Sequence, residues 1–243
     1  MIDSHCHVLF GVDDGAKTIE ASMEMLRIAH DDGIKKVICT SHCLPGIKFE
    51  NSYDSLKIVF DQLVNEVKAQ HLDLELYLAC ELMASPASLE WLKEHKVATY
   101  NQTNWILSEI PFLKDVQFEV DEGVYFRTVM AMGYRLIIAH PERYALIQDN
   151  YAKLAEWRAL GCKFMVNRTS LIYPERETEY NLAWKIVEDG YCDVVASDAH
   201  RVVGRVNKLS DAYALVAERY GVAKAETMFC ENPQRLLDGL DLL

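Results

Sequence analysis

Apolar positions along the 243-residue chain fall into two alternating patterns. Short, nearly continuous apolar runs occur at 2–8, 36–41, 74–80, 105–108, 136–139, 164–167 and 194–197. Runs such as Val37-Ile38-Cys39 and Leu136-Ile137-Ile138-Ala139 suit parallel strands covered on both faces. Between them the apolar spacing changes to that of a helix. Leu56, Val59, Phe60, Leu63, Val64 and Val67 recur on one face of an amphipathic helix. Residues 18–32 predict a second helix, with Thr18 as its cap and Gly33 beyond its end. Gly161 and Gly190 close helical patterns at 152–160 and 179–189, and each precedes a strand. Strand and helix thus alternate from end to end, which yields either a doubly wound sheet or a closed barrel.

The choice between these rests on the residues at the strand ends. His5 and His7, His42, Glu81, Glu109, His140, and Asp198 with His200 stand at or just after successive strand ends, and all are metal-ligand types. Parallel α/β folds gather the C-terminal ends of their strands at one mouth, and a barrel gathers more of them than an open sheet does. The expectation is therefore an α/β barrel with a metal site at that mouth. The step His5-Cys6-His7 puts both imidazoles on one side of an extended strand. Glu81 and Glu109 follow apolar runs, where a carboxylate is costly to bury unless it is paired or coordinated. Asp14, and less so Asp13, joins the set through its closeness to His7. So many donors exceed what one ion needs, implying two or three. Imidazole and carboxylate without thiolate favour manganese, iron or zinc over calcium or magnesium. His30, His71 and His95 lie in or beside helical segments and are expected to take no part.

Charge and composition narrow the function classes. The 25 basic and 37 acidic residues give a net charge of -12, and no long Lys/Arg cluster offers a footprint for nucleic acid or anionic membrane. No run approaches the length of a membrane helix, and residues 1–30 lack a signal-peptide pattern, so a cytoplasmic protein without membrane insertion is expected. Half the residues are hydrophobic, and one domain spanning 1–243 is expected. The seven cysteines form no CxxC pair and read as mostly small buried side chains.

The motifs Ile2-Asp3-Ser4-His5-Cys6-His7, Val12-Asp13-Asp14-Gly15-Ala16-Lys17, Thr40-Ser41-His42, Ala139-His140-Pro141-Glu142-Arg143-Tyr144 and Ala196-Ser197-Asp198-Ala199-His200 resemble the PHP (polymerase and histidinol phosphatase) superfamily. Within it they are most similar to the CpsB-type tyrosine phosphatases of bacterial capsule and exopolysaccharide systems. The resemblance runs over essentially the whole chain, including the closing Asn232-Pro233 segment. It implies a distorted (β/α)7 TIM-like barrel holding three metals, usually manganese. By position, His5, His7, Glu81 and Asp198 would hold one ion. Glu81 would bridge to a second ion bound by Glu109 and His140, and Asp14, His42 and His200 would hold the third. Where many relatives carry a basic or imidazole residue, this chain has Cys43, so no phosphate contact is expected from that position. The implied partner is the phosphorylated, tyrosine-rich tail of a bacterial tyrosine kinase.

A multimetal site attracts a phosphate monoester dianion and activates water for in-line attack near neutral pH. Arg143 and Arg205 are the expected phosphate clamps, because a guanidinium can fork onto two oxygens. Asp198 is a candidate proton donor for the leaving group as well as a ligand. Other readings are a histidinol-phosphate-type phosphoesterase, an amidohydrolase, which also opens with HxH and closes with Asp, and a nonenzymatic metal-binding module. Cys162 and Arg168 match the C-x5-R spacing of cysteine-dependent phosphatases, but the residues between them contain no glycine and read as a strand.

Overall fold

The computed structural model describes residues 1–110 and 121–243. Its strands are β1 Ile2–Cys6, β2 Lys36–Cys39, β3 His42–Cys43, β4 Glu75–Leu78, β5 Glu81–Met83, β6 Trp105–Glu109, β7 Arg135–Ala139, β8 Lys163–Asn167 and β9 Val194–Ala196. All pair in parallel, in the orders β1-β2-β4 and β3-β5-β6-β7-β8-β9. Two of the expected strands are therefore kinked. Chain 36–43 leaves one sheet after Cys39 and enters the other at His42, and chain 75–83 does the same between Leu78 and Glu81. Bonds from Ala79 N to Cys39 O (2.9 Å) and from Glu81 N to Ser41 O (3.1 Å) carry the pairing across the kinks.

The last strand position meets the first. His7 N donates to Ala199 O (2.8 Å), Asp198 N donates to His5 O (2.9 Å), and Cys6 and Ala199 form a parallel bridge. Around the ring the order is β1, β2 with β3, β4 with β5, β6, β7, β8, β9, which is the expected seven-position α/β barrel with its distortion at the two kinks. Ile2, Ile38, Leu107, Ile137, Met165 and Val194 form the apolar interior, and Leu236, Leu237 and Leu242 from the C-terminal segment join them. A larger cluster, including Leu26, Leu63, Phe126, Trp157 and Ile186, packs helices against the outer faces of the strands.

The helices follow the expected pattern. Thr18 Oγ1 accepts from Ala21 N to cap helix Ile19–Asp31, and Ser52 caps helix Tyr53–Ala69. Helices Lys153–Leu160 and Glu177–Glu188 occupy the predicted segments. No described helix is long and apolar enough to cross a membrane.

One feature of β1 decides what faces the interior. Ile2 points inward, and strict alternation would send Ser4 and Cys6 after it. The pairing shifts by one residue between Asp3 and Cys6, because three steps along β1 match two along β2 (Val37 to Cys39). This bulge turns Cys6 into the outer cluster and aims His5 and His7 at the mouth.

Candidate metal centre

Nine side chains converge at the C-terminal ends of the strands. Their donor atoms fall into four overlapping groups, each within 4.8 Å: His5, His7 and Asp198; His5, Glu81 and His140; His42, Glu81 and Glu109; and His7, Asp14, His42 and His200. Glu81 is the hub. Its Oε1 lies 2.8 Å from His140 Nε2 and 3.4 Å from His5 Nε2, while Oε2 lies 3.0 Å from His42 Nδ1 and 3.4 Å from His7 Nε2. Asp198 Oδ1 is 3.4 Å from His5 Nε2 and 3.5 Å from His7 Nε2, and Asp14 Oδ1 is 3.5 Å from Nε2 of both His42 and His200. Donors about 2.1 Å from a shared ion lie roughly 3 to 3.5 Å apart at tetrahedral or octahedral angles, so these spacings fit coordination. His5 Nε2, His7 Nε2, Glu81 Oε2, Glu109 Oε1 and Asp198 Oδ1 are buried and have no hydrogen-bond partner among the described residues. Buried polar atoms left this way are rare unless something else satisfies them.

The far side of each ring fixes which nitrogen carries the lone pair. His7 Nδ1 meets Asp13 Oδ2 at 2.8 Å, and His200 Nδ1 meets Asp198 O at 3.0 Å. Both partners only accept, so in the neutral imidazole the proton sits on Nδ1 and Nε2 is free to ligate. His5 Nδ1 lies 2.6 Å from Thr40 Oγ1, whose own proton goes to Cys6 O (3.2 Å), with the same result. His42 uses both nitrogens, Nε2 toward Asp14 and Nδ1 toward Glu81 and Glu109. A neutral imidazole has one lone pair, so ligation through Nε2 would leave the His42 Nδ1–H facing Glu81 Oε2 and Glu109 Oε1, 3.0 Å from each.

Among the side chains alone, the acids demand positive charge. Burial opposes charge on His7 and His42, yet Asp13 raises the first well above the usual range, and Glu81 and Glu109 hold the second at about 10. Burial also disfavours the Glu81 and Asp198 carboxylates, but the charge of His5 and its neighbours outweighs it and holds both well below the ordinary range. Burial and the Glu81 charge push Glu109 up. Bound cations would supply the charge that these imidazoles otherwise carry.

Every predicted ligand thus lies at one mouth, but in four overlapping groups rather than three: Glu81 is not in the group of His5, His7 and Asp198, His42 also meets Glu81 and Glu109, and His7 also meets Asp14, His42 and His200. Glu109 and His140, expected to share an ion, stand in separate groups joined through the two oxygens of Glu81. Arg143 Nη1 lies 3.2 Å from Asp198 Oδ2, and Arg205 Nη2 contacts the same oxygen. Both arginine side chains keep about a third of their surface exposed, at 29% and 33%. Asp198, held against burial well below the ordinary carboxylate range by His5, His7 and Arg205, accepts hydrogen bonds here from Arg143 and Asn167. His140 and Asp198 have positive φ, 36° and 50°, and are held by bonds from His140 N to Met165 O and from Asp198 N to His5 O. Such backbone persists only where its surroundings enforce it.

The C-x5-R match separates in space. Cys162 is fully buried just before β8, with its thiol pushed up by burial to about 12, while Arg168 follows β8 and grips Asp211 through Nε (2.7 Å). Cys43 is also fully buried, and of the seven thiols only Cys230 is partly exposed. His30 pairs with Asp31 (3.3 Å) and His95 with Tyr134 (3.3 Å), and among the described residues His71 joins no candidate ligand group.

Besides Thr40, two residues at the mouth have roles that the sequence did not reveal. Asn167 ends β8 and donates from Nδ2 to Asp198 Oδ2 (2.7 Å), and its backbone N–H meets buried Glu142 Oε1 (2.9 Å). It stands at a strand end like the others but is not a typical ligand type. Asp13, the less favoured of the paired aspartates, orients rings: Oδ2 holds both His7 Nδ1 and His42 N (3.0 Å), and Oδ1 accepts from Gly15 N (2.9 Å). Asp13→Asn is expected to weaken metal binding about 10- to 100-fold with the ligands untouched, measured by competition with a chromogenic chelator. Wild-type affinity in that variant would refute the orienting role.

Parallel strands closing into a barrel, with a pocket of imidazoles and carboxylates spaced for several cations at its C-terminal mouth, define the class. The chain belongs to the capsular polysaccharide synthesis CpsB/CapC family, whose model matches residues 1–238. It is 28% identical over 242 residues to the tyrosine-protein phosphatase CpsB of Streptococcus pneumoniae, covering 98% of both chains. To the tyrosine-protein phosphatase YwqE of Bacillus subtilis (strain 168) it is 30% identical over 239 residues, covering 98% of this chain and 91% of that one. It superposes on a crystal structure from work on YwqE and CpsB, described as metal-dependent tyrosine phosphatases, with a TM-score of 0.92, 28% identity, and coverage of 100% and 96%. A lactonase from Listeria monocytogenes (TM-score 0.56, 12% identity, coverage of 97% and 92%) shares the fold alone.

Proposed function

We propose that the chain is a metal-dependent phosphotyrosine-protein phosphatase, a single cytoplasmic domain acting on the tyrosine-rich tail of a bacterial kinase that controls capsule or exopolysaccharide synthesis. The observation that carries the reading is the set of donors with lone pairs aimed at shared points, beside two arginines on one carboxylate. His5, His7, Asp14, His42, Glu81, Glu109, His140, Asp198 and His200 would hold two or three ions, which we take to be manganese, with iron and zinc also suited to such donors. Bound there, the ions supply charge neutralisation for a phosphate dianion and a water activated near neutral pH.

The protein's own groups do the rest. Arg143 and Arg205 rest on Asp198 Oδ2 and can turn their forks onto phosphate oxygens, fixing the ester for in-line attack. Asn167 Nδ2 keeps a bond on that carboxylate oxygen when they do. A tyrosine leaving group has a pKa near 10, so its departure asks little of a proton donor. Asp198 serves as ligand and arginine anchor in this reading.

The test is hydrolysis of a phosphotyrosine peptide, a phosphoserine peptide and histidinol phosphate by purified protein. Phosphotyrosine should be preferred, turnover should stop on chelation, and Mn2+ should restore it. Chelator-insensitive turnover, or a preference for histidinol phosphate, would overturn the reading. Cys162→Ser is expected to leave metal-dependent turnover intact and to lower stability by about 1–3 kcal/mol, since it buries a hydroxyl in place of a thiol. Lost turnover with metal retained would reinstate the cysteine mechanism.

A further inference from the structure

Residues 44–52 follow β3 and form one lip of the mouth. Within them Phe49 has φ +54°, which is rare for a bulky side chain and persists only where its surroundings enforce it. The enforcement is visible. Leu44 N and Asn51 N both donate to Phe49 O, at 3.1 and 2.7 Å, and Leu44 bridges Lys48 in antiparallel fashion. The Asn51 amide donates to His42 O (2.7 Å) and Val12 O (3.0 Å), tying the loop to the segments that carry His42 and Asp14. The result is an aromatic ring parallel to the His42 imidazole within 8°, with centroids 6.1 Å apart.

The core does not account for this ring. Phe49 packs against neither buried apolar cluster among the described residues, and Ile47, two residues earlier, is 70% exposed. Lys48 Nζ lies 4.3 Å from the Phe49 centroid, a weak contact at an exposed lysine that an incoming ring can displace.

We propose that the Ile47–Phe49 lip is the leaving-group subsite, with Phe49 taking the aromatic ring of a phosphotyrosine whose phosphate lies at the donor cluster. This rests on the phosphatase reading and adds to it a physical basis for selecting aryl over alkyl esters. The ring of the substrate is one ester oxygen from phosphorus, so it leaves the cluster past the imidazoles, and the wall beside His42 is aromatic. Offset stacking there rewards an aryl ester and gives an alkyl ester nothing.

The experiment compares wild type, Phe49→Ala and Phe49→Tyr. Readouts are kcat/KM for matched phosphotyrosine and phosphoserine peptides, inhibition by phenylphosphonate and methylphosphonate, and metal bound per chain. In Phe49→Ala the aryl-to-alkyl ratio of kcat/KM should fall about tenfold, mostly through KM, and phenylphosphonate should lose its advantage over methylphosphonate. Phe49→Tyr should restore both, with bound metal constant throughout. An unchanged ratio, or equal loss on both substrates with loss of metal, overturns the subsite; the latter would make Phe49 only a cover for His42. If wild type hydrolyses no phosphate monoester with any metal, the phosphatase reading fails and takes the subsite with it. Turnover with an unaltered ratio removes the subsite alone.

Discussion

Glu81→Gln is expected to lower phosphomonoester hydrolysis by on the order of 10³-fold or more and to strip most of the bound metal. The side chain keeps its shape in this variant, so the loss traces to charge and to one oxygen. Among the described residues Glu81 alone reaches four imidazoles, His5 and His140 through Oε1 and His7 and His42 through Oε2. An amide presents one oxygen and one NH2 group to the same four rings, so a donor then faces a donor wherever a ring nitrogen is protonated. Since changing a residue that merely orients a ligand costs about 10- to 100-fold, removing the hub should cost more. Metal analysis by plasma emission together with steady-state rates checks the outcome. Full metal content with near-normal turnover would show that Glu81 is not where the ions are held together.

The same replacement changes the ion-free protein. The folded state holds the Glu81 carboxyl well below its ordinary range, against burial and through His5 and His42. A depressed folded-state pKa contributes stability that is present above the unfolded value, near 4.3, and lost as pH falls through the folded value. Ion-free Glu81→Gln should therefore be less stable than ion-free wild type at neutral pH, and the gap should close on acidification below about pH 4.

How far the site was legible follows from what kind of rule each residue obeys. Parallel α/β folds collect strand ends at one mouth whatever the loops do, so His42, Glu81, Glu109, His140 and Asp198 could be found from apolar runs and residue type alone. The inward aim of His5 and His7 depends on something the pattern does not carry. Period-two alternation pairs them on one face, but only the bulge between Asp3 and Cys6 makes that the inner face, when Ile2 also points inward. The kinks after Cys39 and Leu78 were hidden for a related reason. Runs 36–41 and 74–80 read as unbroken strands, whereas the chain changes sheets within each and so places His42 directly opposite Glu81 in β3–β5 register. Asn167 and Thr40 escaped because they act on other side chains, and their residue types carry no ligand signal.

Gly15→Ala should be nearly as damaging as loss of a ligand, although Gly15 has no side chain to offer. A Cβ on Gly15 would stand 2.1 Å from His7 O and 2.5 Å from His7 Cβ, distances at which one of the two segments must move. His7 is pinned by its backbone bond to Ala199 O (2.8 Å) across the barrel seam, so the turn that carries Asp13 and Asp14 moves instead. That turn holds three things at once. Asp13 orients His7 and supports His42 N, Asp14 Oδ1 faces His42 and His200, and Ala16 N bonds His7 O at 3.1 Å. Overpacking a site whose neighbour is backbone costs about 1–3 kcal/mol, and a ligand shifted by an ångström can cost about 10²-fold in rate. Gly33→Ala is the control: it strains a position at φ +85° with nothing within 4 Å of the added carbon, far from the mouth. It should lower the melting temperature through backbone strain and leave kcat/KM unchanged. Gly15→Ala should lower both, and metal affinity with them. Wild-type turnover in Gly15→Ala would mean that the Val12–Ala16 turn can shift without disturbing the centre, and the roles given to Asp13 and Asp14 would fall together.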